Sequence, residues 1–253
     1  MKTTVERFSN RVENYSKYRP EYPNEVLQLF RSDMGLDVYS IIADIGSGTG
    51  ISSRLFLENG NVVYGVEPNE PMRVAAEKLL QDFSNFKSID GTAENTNLPD
   101  NAVDFVVAAQ AFHWFDGEKT SREFQRILKE RGFVALIWNE RQLNTTEFLV
   151  DYENFLLKFA NDYAEVRHDN ISEETLAKFF QSNFLRRTYQ NQQTLDFEGL
   201  KGRILSSSYM PSEFAEKFEP MVTELRSLFT KYADRGKIKV FYDTNIFYSQ
   251  VNL

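Results

Sequence analysis

The stretch Ile41-Ile42-Ala43-Asp44-Ile45-Gly46-Ser47-Gly48-Thr49-Gly50 constrains this 253-residue chain more than any other feature. An apolar run that drives into three alternating glycines reads as a buried strand ending in a ligand-binding turn. Further short β-branched runs follow at 62–66, 86–89, 103–108 and 133–138, with helical patterns between them. That alternation spells a parallel sheet with crossover helices, a doubly wound, Rossmann-like α/β fold. Asn69 with Pro71 marks a helix start, and Gly132 after "SREFQRILKER" marks a helix stop. Ahead of the sheet, "RPEYPNEVLQLF" gives an extended piece and then a helix from about Asn24. Beyond it, helical patterns over 146–163 and 172–181 precede a strand-like 186–197 and a helix over 211–232. The alternation of 237–251 then returns the chain to the sheet. The expectation is a seven-stranded, mostly parallel sheet. Residues 1–34 form an N-terminal cap segment, 35–140 the cofactor-binding core, and 141–253 helical cap insertions with the last strands.

A hydrophobic content of 42% suffices to bury one such core with an appended cap. The longest apolar stretches, such as 105–109, are far too short to span a bilayer, and "MKTTVERFSN" has no apolar signal region. There is no cysteine, which removes disulfides, thiolate nucleophiles and cysteine metal sites together. These features fit a cytoplasmic protein with no membrane partner. The net charge of -8, from 37 acidic and 29 basic residues, gives no long-range pull toward a polyanion, so no nucleic-acid partner is expected.

A dinucleotide turn needs G-x-G-x-x-G so that a helix N-terminus meets a pyrophosphate. Here the spacing is G-x-G-x-G, Ile51 stands where the third glycine belongs, and the Asp44 carboxylate would repel a pyrophosphate. Glu67 ends the second strand, where a carboxylate can accept both hydroxyls of a ribose. A ribose-bearing cation without phosphate describes S-adenosylmethionine.

With these residues in place the chain resembles the class I S-adenosylmethionine-dependent methyltransferases. The segments "GTAENTNLPDNAVDFVV" and "AQAFHWFD" follow the glycine turn and Glu67 in that family's order and spacing. More narrowly, "YSKYRPEYP" together with "AFHWF" is similar to the trans-aconitate-type small-molecule methyltransferases. The resemblance implies that Gly46, Ser47, Gly48 and Gly50 let the backbone approach the methionine part and that Asp44 orders its amino group. It further implies that Glu67 with Pro68 holds the ribose, that Ala93 with Thr92 or Glu94 meets the adenine, and that Gln110 lies beside the methionine. Thr92 departs from the family, which often has Asp there.

Methyl transfer is an in-line displacement that needs alignment and exclusion of water more than covalent help. Phe112, His113, Trp114 and Phe115 follow the fourth strand and are expected to floor the acceptor pocket. His113 either orients or deprotonates the acceptor, or simply shapes the pocket wall, since a carboxylate acceptor is already ionised and needs no base. His168 reads as solvated. Tyr18 or Arg19 is expected to bind a carboxylate, of methionine or of substrate, and Ser208 with Tyr209 to reach the acceptor pocket. No Asn or Asp followed by Pro-Pro-aromatic follows the fourth strand, which disfavours base methylation. Asp116 stands alone there as a helix N-cap, so no metal is expected. The partner is therefore a small-molecule methyl acceptor, and the sequence sets no oligomeric state. A methyltransferase-fold protein with a regulatory role is the alternative, and Asp44 with Ile51 opposes a nicotinamide enzyme.

Overall fold

The computed structural model describes residues 11–161, 163, 172–181 and 183–251; His168 lies outside them. Seven strands form one sheet in the order β3-β2-β1-β4-β5-β7-β6. They are β1 (Ile41–Ile45), β2 (Val62–Val66), β3 (Phe86–Ile89), β4 (Val103–Ala109), β5 (Leu128–Arg141), β6 (Leu185–Leu195) and β7 (Ile238–Gln250). The first five pair in parallel, while β7 runs antiparallel to both β5 and β6. Because β1 has β2 on one side and β4 on the other, the strand order reverses there and leaves a crevice beyond their C-terminal ends.

The alternating stretches become strands because both faces of the sheet are covered. On one face, α2 (Asn24–Met34) and α3 (Ile51–Glu58) bury Val26, Phe30, Phe56 and Leu57 against Ile42, Phe105 and Val107. On the other, α5 (Gly117–Ile127) and α7 (Glu173–Phe180) bury Phe124, Ile127, Leu176 and Phe179 against Ala43, Val106 and Leu136. The helix α4 (Glu70–Leu79) starts as expected, with the Asn69 side chain accepting from the Met72 N–H at 3.1 Å. Asp116 likewise caps α5, accepting from Lys119 N–H.

Gly132 is not a helix stop. The α5 helix ends at Ile127, and Leu128 already pairs with Val103; the register then shifts, with Phe105 opposite Phe133. Arg131 takes a left-handed φ of 63° inside this irregularity. A side chain on Gly132 would lie 2.6 Å from the Leu128 side chain and 3.0 Å from the Asp104 carbonyl, so the glycine serves close packing rather than a helix end.

The C-terminal elements build a cap with its own core. Helices α6 (Glu147–Phe159), α8 (Phe197–Leu205) and α9 (Phe218–Tyr232) enclose Leu149, Leu156, Leu200, Ile204, Leu225 and Tyr242. Three boundaries differ from expectation. The helix begun at 146 ends at Phe159, because Ala160 is extended. Strand β6 stops at Leu195, since Asp196 accepts from Gly199 N–H at 2.7 Å and caps α8, a helix the sequence reading missed. The helix expected from 211 starts only at Phe218, after a run of turns. A short N-terminal helix, α1 (Val12–Tyr18), lies on α8. Arg11 fastens it by donating to the carbonyls of Leu205, Ser207 and Met210 at 2.6–2.9 Å, which satisfies groups that a helix C-terminus leaves open.

Candidate active site

The crevice at the strand-order reversal holds two adjoining chambers, and Tyr15, Gly46, Ala109 and Gln110 line both. The smaller, about 120 Å³, is walled by Gly48, Glu67, Pro68, Asn69 and Met72 on one side and Ala111, Trp114 and Phe115 on the other. The larger, about 220 Å³, runs under the cap and is lined by residues from β1 to α3, the ends of β4 and β5, the N-terminal segment and α8.

The turn after β1 is held against β2, with Gly46 and Ser47 N–H both donating to the Val66 carbonyl. Gly46 has a φ of 68°, and a side chain there would sit 2.7 Å from Ala111 Cβ. Gly48, at a φ of 55°, has open space where its side chain would stand, so the backbone itself forms the chamber wall. Glu67 turns back onto this turn: Oε2 accepts from Gly48 N–H at 3.0 Å and Oε1 from Asn69 N–H at 2.9 Å. Each carboxylate oxygen retains a lone pair for a ribose hydroxyl. Burial pushes the Glu67 carboxyl above its ordinary range, against the pull of these two N–H groups.

Asp44 is fully buried at the end of β1, behind the chamber-lining Ser52. Its Oδ2 accepts from Ser52 Oγ at 2.7 Å and Ser53 Oγ at 2.6 Å, while Oδ1 has no partner among the described residues. Burial raises its carboxyl to about 6, with the two serine bonds opposing. Gln110 takes a left-handed φ of 57° at the end of β4. Its Nε2 donates to the Asn139 carbonyl at 3.1 Å, which fixes the amide, and its Oε1 is buried without a partner among the described residues. Two unpartnered acceptors beside a glycine-walled cleft fit a ligand carrying ammonium and sulfonium charge.

Other expected site residues fall elsewhere. Thr92, Ala93 and Glu94 line neither chamber. Ala93 is buried in the core, Thr92 accepts from Asn95 N–H within its own turn, and Glu94 accepts from Asp116 N–H at 2.9 Å, fastening this loop to α5. Gly50 also stands outside, packed on Leu80 and Ala76. Phe112 is 4% exposed and points into the core, its ring 4.5 Å from that of Phe179, because the single 3-10 turn Phe112–Trp114 rotates it away from the cleft. Trp114 and Phe115 line the Glu67 chamber. His113 stands beside Trp114, ring centroids 4.6 Å apart, and lines neither chamber. Tyr18 packs flat on Gly202 of α8, and Ser208 sits in the following turn outside the cleft. Arg19 and Tyr209 do line the larger chamber.

That chamber also contains residues the sequence reading missed: Arg141 at the end of β5, Arg203 on α8, and the tyrosines Tyr15, Tyr22 and Tyr163. Arg141 donates to Glu153 and to Tyr163 Oη, and it stacks on Tyr152. Arg19 lies over the Tyr15 ring at 4.8 Å and donates to the Ser206 carbonyl at 3.2 Å. Burial and then the neighbouring Arg203 charge hold the Arg19 guanidinium below its ordinary range. Among the described residues, no group of three or more His, Cys, Asp or Glu side chains could hold a metal ion, and no helix is long and apolar enough to cross a membrane.

A seven-stranded sheet with β7 antiparallel between β5 and β6, and a glycine-walled cleft at the β1 and β4 ends, defines the class I methyltransferase fold. Residues 43–136 match the methyltransferase domain family. It is 27% identical over 253 residues to an uncharacterized methyltransferase-like protein of Schizosaccharomyces pombe, covering 97% of this chain and 96% of that one. It is 35% identical over 135 residues to an uncharacterized methyltransferase of Mycobacterium tuberculosis, covering 53% and 52%. In structure it is similar to a type II methyltransferase candidate from Anaeromyxobacter dehalogenans, with a TM-score of 0.67 at 17% identity, covering 93% and 99%. It is likewise similar to YcgJ of Bacillus subtilis, with a TM-score of 0.58 at 20% identity, covering 91% and 100%.

Proposed function

We propose that the protein transfers a methyl group from S-adenosylmethionine to an oxygen of a small molecule, a carboxylate or hydroxyl, with a carboxylate as the better fit. The carrying observation is that the two chambers meet at Gln110, one furnished for a ribose and the other lined with arginine and tyrosine. When bound, the donor supplies a methyl group on a cationic sulfur; transfer to a carboxylate oxygen makes the O–C bond, breaks the S–C bond and returns that electron pair to sulfur, leaving a neutral ester.

The protein's share is positioning. Glu67 binds the ribose hydroxyls, Pro68 and Met72 face Trp114 and Phe115 across the slot that would take the adenine, and Asp44 with Gln110 Oε1 attracts the cationic end. Tyr15, lining both chambers, covers their junction and excludes water. A carboxylate acceptor needs no base at neutral pH, which agrees with His113 lying outside both chambers. The narrower resemblance to trans-aconitate-type enzymes belongs to this proposal, as does the division into cap, core and C-terminal cap. The test is a scan of small carboxylic acids, phenols and amines with isotopically labelled methyl donor. Label in a base-labile ester supports the reading; label only in amines, protein or nucleic acid overturns it.

A further inference from the structure

The two edges of the sheet are finished differently. The outer strand on one side, β3, has four residues, one of them Lys87, and shortness with a lysine keeps an edge from pairing with another chain. The outer strand on the other side, β6, runs for 11 residues, LRRTYQNQQTL, with no glycine, proline or lysine. Its register with β7 is unbroken from Leu185 opposite Tyr248 to Leu195 opposite Ile238, so no bulge turns this edge away. A strand about twice the usual length is left with one side unpaired.

Bonds at the two ends of β7 settle which groups of β6 face outward. Gln142 N–H donates to the Phe241 carbonyl and Val251 N–H to the Gly132 carbonyl, so the odd-numbered residues of β7 bond to β5. Its even-numbered residues therefore bond to β6, where the register sets them against odd-numbered residues. Arg186, Thr188, Gln190, Gln192 and Thr194 are left with N–H and C=O pointing outward, and all of them are exposed. Gln192 N–H donates to Asn191 Oδ1 at 2.8 Å and the Arg186 carbonyl accepts from Arg187 Nη1 at 3.1 Å, local bonds that a partner strand can replace. The remaining outward groups have no partner among the described residues.

The strand fits a second copy of itself. Antiparallel pairing about Gln190 is the one register that uses all 11 residues, and it sets Leu185, 52% exposed, opposite Leu195. The charged residues of the strand, Arg186 and Arg187, then meet Thr194 and Gln193, so no like charges oppose each other. Outward residues meet outward residues throughout, 186 with 194, 188 with 192 and 190 with its own copy. We propose that β6 is a homodimer interface, at which two copies join edge to edge about a two-fold axis at Gln190 and merge two seven-stranded sheets into one. The odd-numbered side chains keep their own tasks, since Asn191 and Gln193 donate to the Glu21 and Tyr18 carbonyls beside the cleft. The interface stands independently of the methyl-transfer reading.

The experiment is analytical ultracentrifugation of the full chain and two charge variants, joined by single-cysteine cross-linking, which the absence of native cysteine makes clean. The parent is expected to sediment as a reversible dimer at about 100 μM. Thr194→Glu is expected to tighten the dimer about fivefold and Thr194→Lys to loosen it about fivefold, because residue 194 of each copy faces Arg186 of the other. Net charge alone predicts the reverse order, since the chain already carries -8 and glutamate adds to it. Gln190→Cys should close a disulfide under mild oxidation, its Cα atoms standing about 5.5 Å apart across the axis. Gln192→Cys should not, because its two copies are offset by four residues, about 13 Å. An unchanged circular-dichroism spectrum marks each variant as folded. A parent that stays monomeric, charge variants that shift the dimer in the same direction, or cross-linking at 192 as readily as at 190 overturns the proposal; the first and the last decide it even if a charge variant fails to fold.

Discussion

Asp44→Asn should stabilise the ligand-free protein at neutral pH while weakening the donor site. The carboxyl is fully buried, and burial lifts it from the ordinary 3.8 to about 6. Between those values the folded state holds a proton that the unfolded state has already released, so stability falls as pH rises through about 4 to 6 and stays reduced above it. The difference of 2.2 pH units, 6 minus 3.8, corresponds to about 3 kcal/mol at 1.36 kcal/mol per unit. Asparagine can still accept from Ser52 and Ser53 through its carbonyl, so the substitution removes the charge without orphaning either hydroxyl. Urea unfolding at pH 4, 5, 6 and 7 should therefore show the variant gaining on the parent, from near zero to at most about 3 kcal/mol. In the parent, S-adenosylhomocysteine affinity should fall about tenfold per pH unit below 6, because a protonated Asp44 no longer attracts the amino group; in the variant it should be weak at every pH. A variant less stable than the parent at pH 7, or a stability difference that does not change with pH, would refute the reasoning about buried charge.

Glu67→Ala removes the acceptor for both ribose hydroxyls and should weaken S-adenosylhomocysteine binding by about 1.5–3 kcal/mol by calorimetry; unchanged affinity would assign the ribose elsewhere. His113→Ala should lower turnover on a carboxylate acceptor by well under the roughly 100-fold that loss of a general base produces, since His113 lines neither chamber. Gly132→Ala, which puts a methyl 2.6 Å from Leu128 Cδ2, should cost about 1–3 kcal/mol in urea unfolding without changing donor affinity.

The glycine turn and the carboxylate facing it were legible because their placement is local: Asp44, Gly46, Gly48 and Glu67 sit at or just beyond strand ends, and strand ends are written in short-range pattern. The arginine chamber was not legible in the same way. Arg19, Arg141 and Arg203 are separated by up to 184 positions along the chain, and only the folding of α1 and α8 over the end of β5 brings them together. The "AFHWF" run misled for a geometric reason. Consecutive aromatics in a 3-10 turn point in different directions, so Phe112 went to the core and Trp114 to the Glu67 chamber. Gly132 misled because a glycine after a helical pattern reads alike whether it ends the helix or permits close packing in the next strand. The α8 helix was hidden because "TLDFEGLKG" continues the alternation of β6 up to its Asp196 cap.

The most direct test of the account is a crystal structure of the protein with S-adenosylhomocysteine bound. The account expects both ribose hydroxyls within hydrogen-bond distance of Glu67, the adenine between Met72 and Phe115, and the sulfur beside Gln110, facing the chamber of Arg19 and Arg203. Adenosine seated among the arginines, or a sulfur turned away from that chamber, would contradict it.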